Sequence, residues 1–422
     1  MRITVFPSPL TGTLSAISSK SDVHRLLICA ALADAPTEIS LRGISEDIQA
    51  TISCLTALGA KIHSEPERIC VTPLVSVPTG FPTLFCGESG STLRFLLPLL
   101  CHLYPNGGRV EGSGRLPFRP MEELKNVLAD HGCRFSGQGL PLNCFGPLTP
   151  GVFRLPGNVS SQYVTGLLFV LPLLDADSQI LFSSPVESSG YITMTRHTLS
   201  VFGIRTLDLA EGILVPGRQR YRSPGQVCAD GDWSNAAFWL CAGALRQPVS
   251  VSGLAVDSLQ GDKAVLSVLR GFGASVSVGE DMITVSPGKL RGMKLDGRQI
   301  PDLLPVLACV AACAAGETVI HGAARLRLKE SDRIASVCDG LRNLGGTAAE
   351  QLDGMQISGG TVSGGTVSGF GDHRIVMSMA VLASCATGPV TITGAEAVRK
   401  SYPDFFQDFQ FLGGKIYGDE SR

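Results

Sequence analysis

The stretch Asp47-Ile48-Gln49-Ala50-Thr51-Ile52-Ser53-Cys54-Leu55-Thr56-Ala57-Leu58-Gly59-Ala60-Lys61-Ile62 places apolar residues at helical spacing, stops at a glycine and continues as a strand. Gly59 is expected as the helix C-cap, because only glycine enters the left-handed conformation without a Cβ penalty. The same signature returns at His131-Gly132-Cys133, Phe202-Gly203-Ile204, Phe272-Gly273-Ala274, Leu344-Gly345-Gly346 and Leu412-Gly413-Gly414, at intervals of about 70 residues. One supersecondary unit is therefore used six times. Its period exceeds that of common solenoid repeats and accommodates two helices plus several strands, which predicts a compact α/β unit rather than an open array.

The 422 residues are 44% hydrophobic and 17% charged, the balance of a large folded body of at least two domains. The apolar run Leu303 to Ala315 is too short to span a membrane and contains Pro305, so it reads as a buried core helix. Met1-Arg2-Ile3-Thr4-Val5-Phe6-Pro7 alternates like a strand and shows no signal-peptide pattern, which points to a cytoplasmic protein. Thirteen cysteines stand scattered in apolar contexts with no CxxC pair. They read as small buried hydrophobes in a reducing compartment, and no metal is expected at Cys309 and Cys313.

Net charge is only −2, yet cations stand inside apolar or small-residue segments: Lys20, Arg25, Arg94, Arg115, Arg119, Arg327, Lys329, Arg333, Arg374 and Lys400. Arg94, within Gly90-Ser91-Thr92-Leu93-Arg94-Phe95-Leu96-Leu97, is expected to be buried, and a buried arginine needs an anion from the protein or a ligand. In Ser18-Ser19-Lys20-Ser21-Asp22-Val23-His24-Arg25, Ser19 or Ser21 would cap a helix whose free N–H groups, with Lys20 and Arg25, make an anion cradle. The device recurs at Gly87 to Arg94 and at Asn158 to Tyr163. Arg325 to Arg333 reads as a basic strand running into a Ser331-capped helix, beside a second cluster at Gly371-Asp372-His373-Arg374. The glycine-rich segment Ser358 to Val367 reads as loop and edge strand. Asp302, before an apolar helix, suits either an N-cap or a catalytic role.

Lys20-Ser21 with Arg25, Gly90-Ser91 with Arg94, Arg115, Arg119-Pro120, Ser160-Ser161-Gln162, Lys329-Glu330-Ser331-Asp332-Arg333, Asp372-His373-Arg374 and Lys400-Ser401-Tyr402-Pro403-Asp404 together resemble the 5-enolpyruvylshikimate-3-phosphate synthase family. That resemblance implies an inside-out α/β barrel of two domains, each of three βαβαββ repeats with helices inside and sheets outward. One domain would cover 20–229 and the other 1–19 plus 230–422, with substrates bound in the cleft between them. The implied reaction transfers the enolpyruvyl group of phosphoenolpyruvate to the 5-hydroxyl of shikimate 3-phosphate. It needs no metal or organic cofactor, and a monomer acting on small anions, away from nucleic acid and membrane, is expected.

The resemblance also implies a division of the site. Ser21, Arg25, Ser160, Ser161, Gln162, Ser188, Tyr191, Asp302 and Lys329 would hold shikimate 3-phosphate. Lys20, Gly90, Arg119, Gln162, Arg333, Arg374 and Lys400 would hold phosphoenolpyruvate. Asp302 would deprotonate or orient the 5-hydroxyl, Glu330 would deliver a proton to carbon, and Lys20 with Lys400 would stabilise or protonate the departing phosphate.

The chain departs from the family pattern at three places. Ala16-Ile17-Ser18-Ser19 replaces the usual Pro-Gly-Ser, Glu88 stands where asparagine is common and is expected to be paired or turned away, and Arg325 replaces an asparagine. Gly90 is kept where insensitive members carry alanine, which implies inhibition by glyphosate. The rival is the sister transferase acting on UDP-N-acetylglucosamine, whose loop cysteine and Lys-Asn start are absent from Gly112 to Pro120 and from Lys20-Ser21. A polyanion-binding repeat scaffold is disfavoured by near-neutral charge and 6% aromatic residues.

Overall fold

Every one of the six repeat glycines takes positive φ in the computed structural model, from +76° at Gly345 to +108° at Gly59. The structure describes residues 1–74 and 80–419. In the helix Glu46–Ala57 the C-cap itself is Leu58, and Gly59 makes the left-handed turn one residue later. In Val265–Phe272 the glycine, Gly273, is the cap. Either way the chain reverses into the next strand.

The described residues form two compact units, Lys20–Ala229 and Met1–Ser19 with the chain from Asp230 onward. Each has its own apolar core. In the first unit the core helices are Lys20–Leu32, Gly90–Leu103 and Ser161–Val170. In the second they are Trp233–Leu245, Leu304–Cys313 and His373–Ala383. These helices are buried almost all round, whereas strands alternate buried and exposed residues, so sheets face outward over internal helices. The predicted apolar helix between Leu303 and Ala315 is present, buried, with Pro305 in its first turn, where the missing N–H has no partner to lose.

Among the described residues six four-stranded sheets are formed, and three arise from continuous βαβαββ segments. In one, Thr83–Phe85 and Gly108–Glu111 run parallel around an inner helix, and Leu142–Phe145 and Arg134–Ser136 complete the sheet antiparallel. Others are completed by strands distant in sequence. Gln226–Cys228 pairs parallel with Thr37–Ser40, Gly12–Ser15 pairs parallel with Val249–Ser252, and Arg2–Phe6 inserts between Val390–Thr393 and Lys415–Asp419. The expected edge strand after the glycine-rich segment is Gly365–Ser368.

Two local readings fail. Ala324–Leu328 is a 3-10 turn rather than a strand, with Leu326 buried and Leu328 51% exposed, although a strand would put both on one face. The helix Arg333–Asn343 is capped by Asp332, which accepts from the Ala335 amide at 3.1 Å, rather than by Ser331. The charged oxygen is the stronger acceptor at a helix start.

A buried polar chain ties the first unit's helices together. His24 Nδ1 lies 2.7 Å from Thr51 Oγ1, which lies 2.7 Å from Thr92 Oγ1, and Thr92 donates to the N-cap Ser89 at 2.8 Å. Burial, then the charges of Lys20 and Arg25, hold the His24 pKa well below the ordinary histidine range, so the ring is neutral.

Gly203 has room for a methyl group, its nearest neighbour being Arg222 at 3.6 Å, whereas a Cβ on Gly273 would stand 2.6 Å from the Lys289 carbonyl oxygen. Gly203→Ala is therefore expected to cost about 1–2 kcal/mol of backbone strain in urea unfolding, and Gly273→Ala distinctly more. Because the unfolded chain protonates His24 before the folded one does, its contribution is complete at neutral pH. It is lost as pH falls below about 6.5, at up to about 1.4 kcal/mol per pH unit. His24→Asn is expected to flatten that part of the stability profile; an unchanged slope would contradict the neutral, buried imidazole.

Candidate functional site

The site residues fall into two sets, one in each unit, and both gather where inner helices begin. In the first unit Ser160 caps the helix Ser161–Val170, accepting from the Gln162 amide at 3.3 Å, and Ser89 caps Gly90–Leu103, accepting from the Thr92 amide at 3.2 Å. Hydroxyl caps of this kind leave further first-turn N–H groups aimed outward at any anion. The helix Lys20–Leu32 begins directly after Ser19.

Arg25 is 2% exposed and held on several sides. Its guanidinium donates to Thr195 Oγ1 at 2.9 Å, to the Tyr191 carbonyl at 3.0 Å and to the Ser21 carbonyl, and it lies 5.3 Å from the Phe95 ring centre. Burial pulls its pKa down to about 10, which leaves it charged at neutral pH. Ser188 is buried and left-handed at φ +53°, a strained conformation for a serine, at the start of Ser189–Val201.

Arg94 is buried as expected. It donates to Gln162 Oε1 at 2.7 Å and to the Pro120 carbonyl at 3.0 Å, and stacks over Tyr163. Gln162 in turn donates to Ser91 Oγ at 3.0 Å, so Arg94 fixes the amide expected to face substrate. Gly90 lies under two guanidinium groups: a Cβ there would stand 2.6 Å from Arg119 and 2.7 Å from Arg94. Lys20 makes a 2.7 Å ion pair with Asp47. The Glu88 carboxyl lies against Gly114. Arg115 is exposed.

In the second unit Arg333, 1% exposed, is the hub. It donates to Asp372 at 2.8 Å, to Asp302 Oδ1 at 2.8 Å and to Glu330 Oε2 at 2.7 Å. Burial alone would lower its pKa, but the fields of Asp372, Glu330 and Asp302 together outweigh burial and raise it. Asp302 is not an N-cap, since the residue before the helix is Leu303, with no side-chain cap bond. Its carboxylate instead takes Arg333 and, at 3.3 Å, Lys329, whose pKa burial pulls down. Arg374 donates to the Asp302 carbonyl at 3.0 Å and to Ser234 Oγ at 2.9 Å. Lys400, also buried, donates to the Gly371 carbonyl at 2.7 Å.

Not every cation belongs here. Arg327 turns to Asp332 and Glu350 in a partly exposed pair network, and Arg325 donates to the Arg298 carbonyl. The sequence reading missed Asp47, Asp262, Ser234 and Thr195. Asp47 and Asp262 had a usable signal, since each is an acid at the start of an apolar helical stretch, where nearby basic residues need partners. No group of three His, Cys, Asp or Glu among the described residues is arranged to hold a metal ion. No helix there is long and apolar enough to cross a membrane.

Comparison with known proteins finds relatives along nearly the whole chain. The 3-phosphoshikimate 1-carboxyvinyltransferase of Clostridium kluyveri is 38% identical over 420 residues, covering 98% of both chains, and that of Clostridium novyi is 38% identical over 427 residues with equal coverage. Among solved structures, EPSP synthase from Acinetobacter baumannii superposes with a TM-score of 0.83 at 24% identity, over 99% of this chain and 100% of that one. The enolpyruvyl transferase NikO from Streptomyces tendae gives 0.81 at 20% identity, over 99% of this chain and 98% of that one. At those identities the superpositions speak for the fold alone. The family model described as EPSP synthase (3-phosphoshikimate 1-carboxyvinyltransferase) matches residues 6–409, and with relatives of this identity along its full length, the chain belongs to the EPSP synthase family.

Proposed function

We propose that the chain transfers the enolpyruvyl group of phosphoenolpyruvate to the 5-hydroxyl of shikimate 3-phosphate, releasing phosphate. The observation that carries this reading is the paired arrangement of fixed cations, buried Arg25 and Arg94 with half-buried Lys20 in one unit and buried Arg333, Arg374 and Lys400 in the other. Both sets serve one pair of substrates. Two multiply charged anions repel each other, and fixed guanidinium and ammonium groups offset that repulsion while orienting the reacting atoms.

Asp302, held ionised by Arg333 and Lys329, takes the proton of the 5-hydroxyl as its oxygen bonds to C2 of phosphoenolpyruvate. Glu330, oriented by the same Arg333, gives a proton to C3. The tetrahedral adduct then loses a C3 proton back to the group that gave it, and the C2–O bond to phosphate breaks as Lys20 and Lys400 neutralise the leaving charge. Ser160, Ser161, Gln162, Ser188, Tyr191 and Ser21 hold the acceptor beside Arg25, while Gly90 leaves Arg119 room to reach phosphoenolpyruvate. The reading places a cytoplasmic monomer on this step, working without a cofactor.

Phosphate release from phosphoenolpyruvate is expected with shikimate 3-phosphate and not with UDP-N-acetylglucosamine; the reverse preference would overturn the reading. Asp302→Ala is expected to lower kcat by about a thousandfold while phosphoenolpyruvate still binds. Turnover that survives this change would remove Asp302 from the role of base. Gly90→Ala forces Arg119 and Arg94 aside, so the phosphoenolpyruvate KM is expected to rise about tenfold or more and glyphosate inhibition to weaken in parallel. Wild-type enzyme indifferent to millimolar glyphosate would contradict this account of Gly90.

A further inference from the structure

Asp262 is a carboxylate 3% exposed that the proposed reaction does not use directly, yet it lies within the field of Arg374. The 3-10 turn Gly261–Ala264 that carries it is pinned to the start of the helix Trp233–Leu245. Gln260 accepts from the Trp233 amide at 3.2 Å and donates to the Gly231 carbonyl at 2.7 Å and to Asp230 Oδ2 at 2.8 Å. This brings Asp262 against Ser234, whose hydroxyl donates to Asp262 Oδ2. The same hydroxyl oxygen accepts from Arg374 at 2.9 Å.

A serine hydroxyl carries one proton, and a guanidinium can only donate. Ser234 therefore offers its lone pair to Arg374 only while its proton points elsewhere, and Asp262 is the acceptor that takes it. The other side of Arg374 is held by the Asp302 carbonyl at 3.0 Å, and its NH2 group stands 3.6 Å from Asp302 Oδ2. We infer that Asp262 is a positioning residue: through Ser234 it aims Arg374. The inference rests on the enolpyruvyl-transfer reading of the site.

The groups facing Asp262 are Asp302, Arg374, Ser234 and Asp232, the N-cap of Trp233–Leu245. Burial, then repulsion from Asp302, pushes the Asp262 pKa up to about 6. A carboxyl raised in the folded state contributes stability at low pH that is lost as pH rises through about 6, so ionised Asp262 works against folding at neutral pH.

The test is steady-state phosphate release by Asp262→Ala, Asp262→Asn and Ser234→Ala, with melting temperatures at pH 5 and pH 8. Asp262→Ala and Ser234→Ala are expected to raise the phosphoenolpyruvate KM about tenfold. Asp262→Asn, whose amide oxygen still accepts from Ser234, is expected to keep KM within about twofold of wild type. It is also expected to remove the inflection near pH 6 from the pH profile of the phosphoenolpyruvate KM, because Asp262 is the group that gains charge there. Its melting temperature is expected to equal or exceed wild type, with the larger gain at pH 8. Should Asp262→Ala fail to fold, Asp262→Asn and Ser234→Ala decide the matter. Unchanged KM in Ser234→Ala together with an unchanged pH profile in Asp262→Asn overturns the inference, as does activity lost only in step with melting temperature. A wild type that releases no phosphate overturns the functional reading instead.

Discussion

Cations that must meet anionic ligands have to be rigid, dehydrated and close together before any ligand arrives, and the fold is organised around making that tolerable. An uncompensated buried guanidinium is among the least favourable groups a core can hold. Here each is offset locally: Arg333 by three carboxylates, Arg25 by two carbonyls, a hydroxyl and the Phe95 face, and Lys20 by Asp47. The net charge of only −2 is the outward sign of this internal pairing. A strongly cationic chain would hold anions too, but without choosing their positions.

The internal helices supply the rigidity. Gly90–Leu103 and Ser161–Val170 are buried almost all round, so the first turns at Gly90 and Gln162 cannot drift independently. The hydrogen-bond chain from His24 through Thr51 and Thr92 to Ser89 links three helices behind that surface. Side chains held this way lose little entropy when a ligand binds.

Much of this was legible in sequence because it depends on short-range chemistry. A glycine after an apolar helical stretch needs only local sterics to be recognised, and all six adopt positive φ. The hydroxyl caps at Ser89 and Ser160, and the burial of Arg94, follow equally from neighbours in sequence. The misreadings share a cause. Arg325-Leu326-Arg327-Leu328 alternates like a strand, but Arg327 pairs with Asp332 and Glu350 and the segment coils into a 3-10 turn. The pairing of Asp372 with Arg333 and that of Asp262 with Ser234 were not read, because the partners lie 39 and 28 residues apart. Pairings over such separations are set by tertiary contact and leave no periodic trace.

Neither unit contains the whole proposed site. The serines proposed to bind the acceptor and Arg25 belong to one, and Asp302, Lys329 and Glu330 belong to the other. The central claim is that both act on the same molecules. A crystal structure with shikimate 3-phosphate and a phosphoenolpyruvate analogue tests it directly: one acceptor molecule is expected to touch Arg25 and Gln162 and also Asp302 and Lys329. Ligands confined to the residues of a single unit would contradict it.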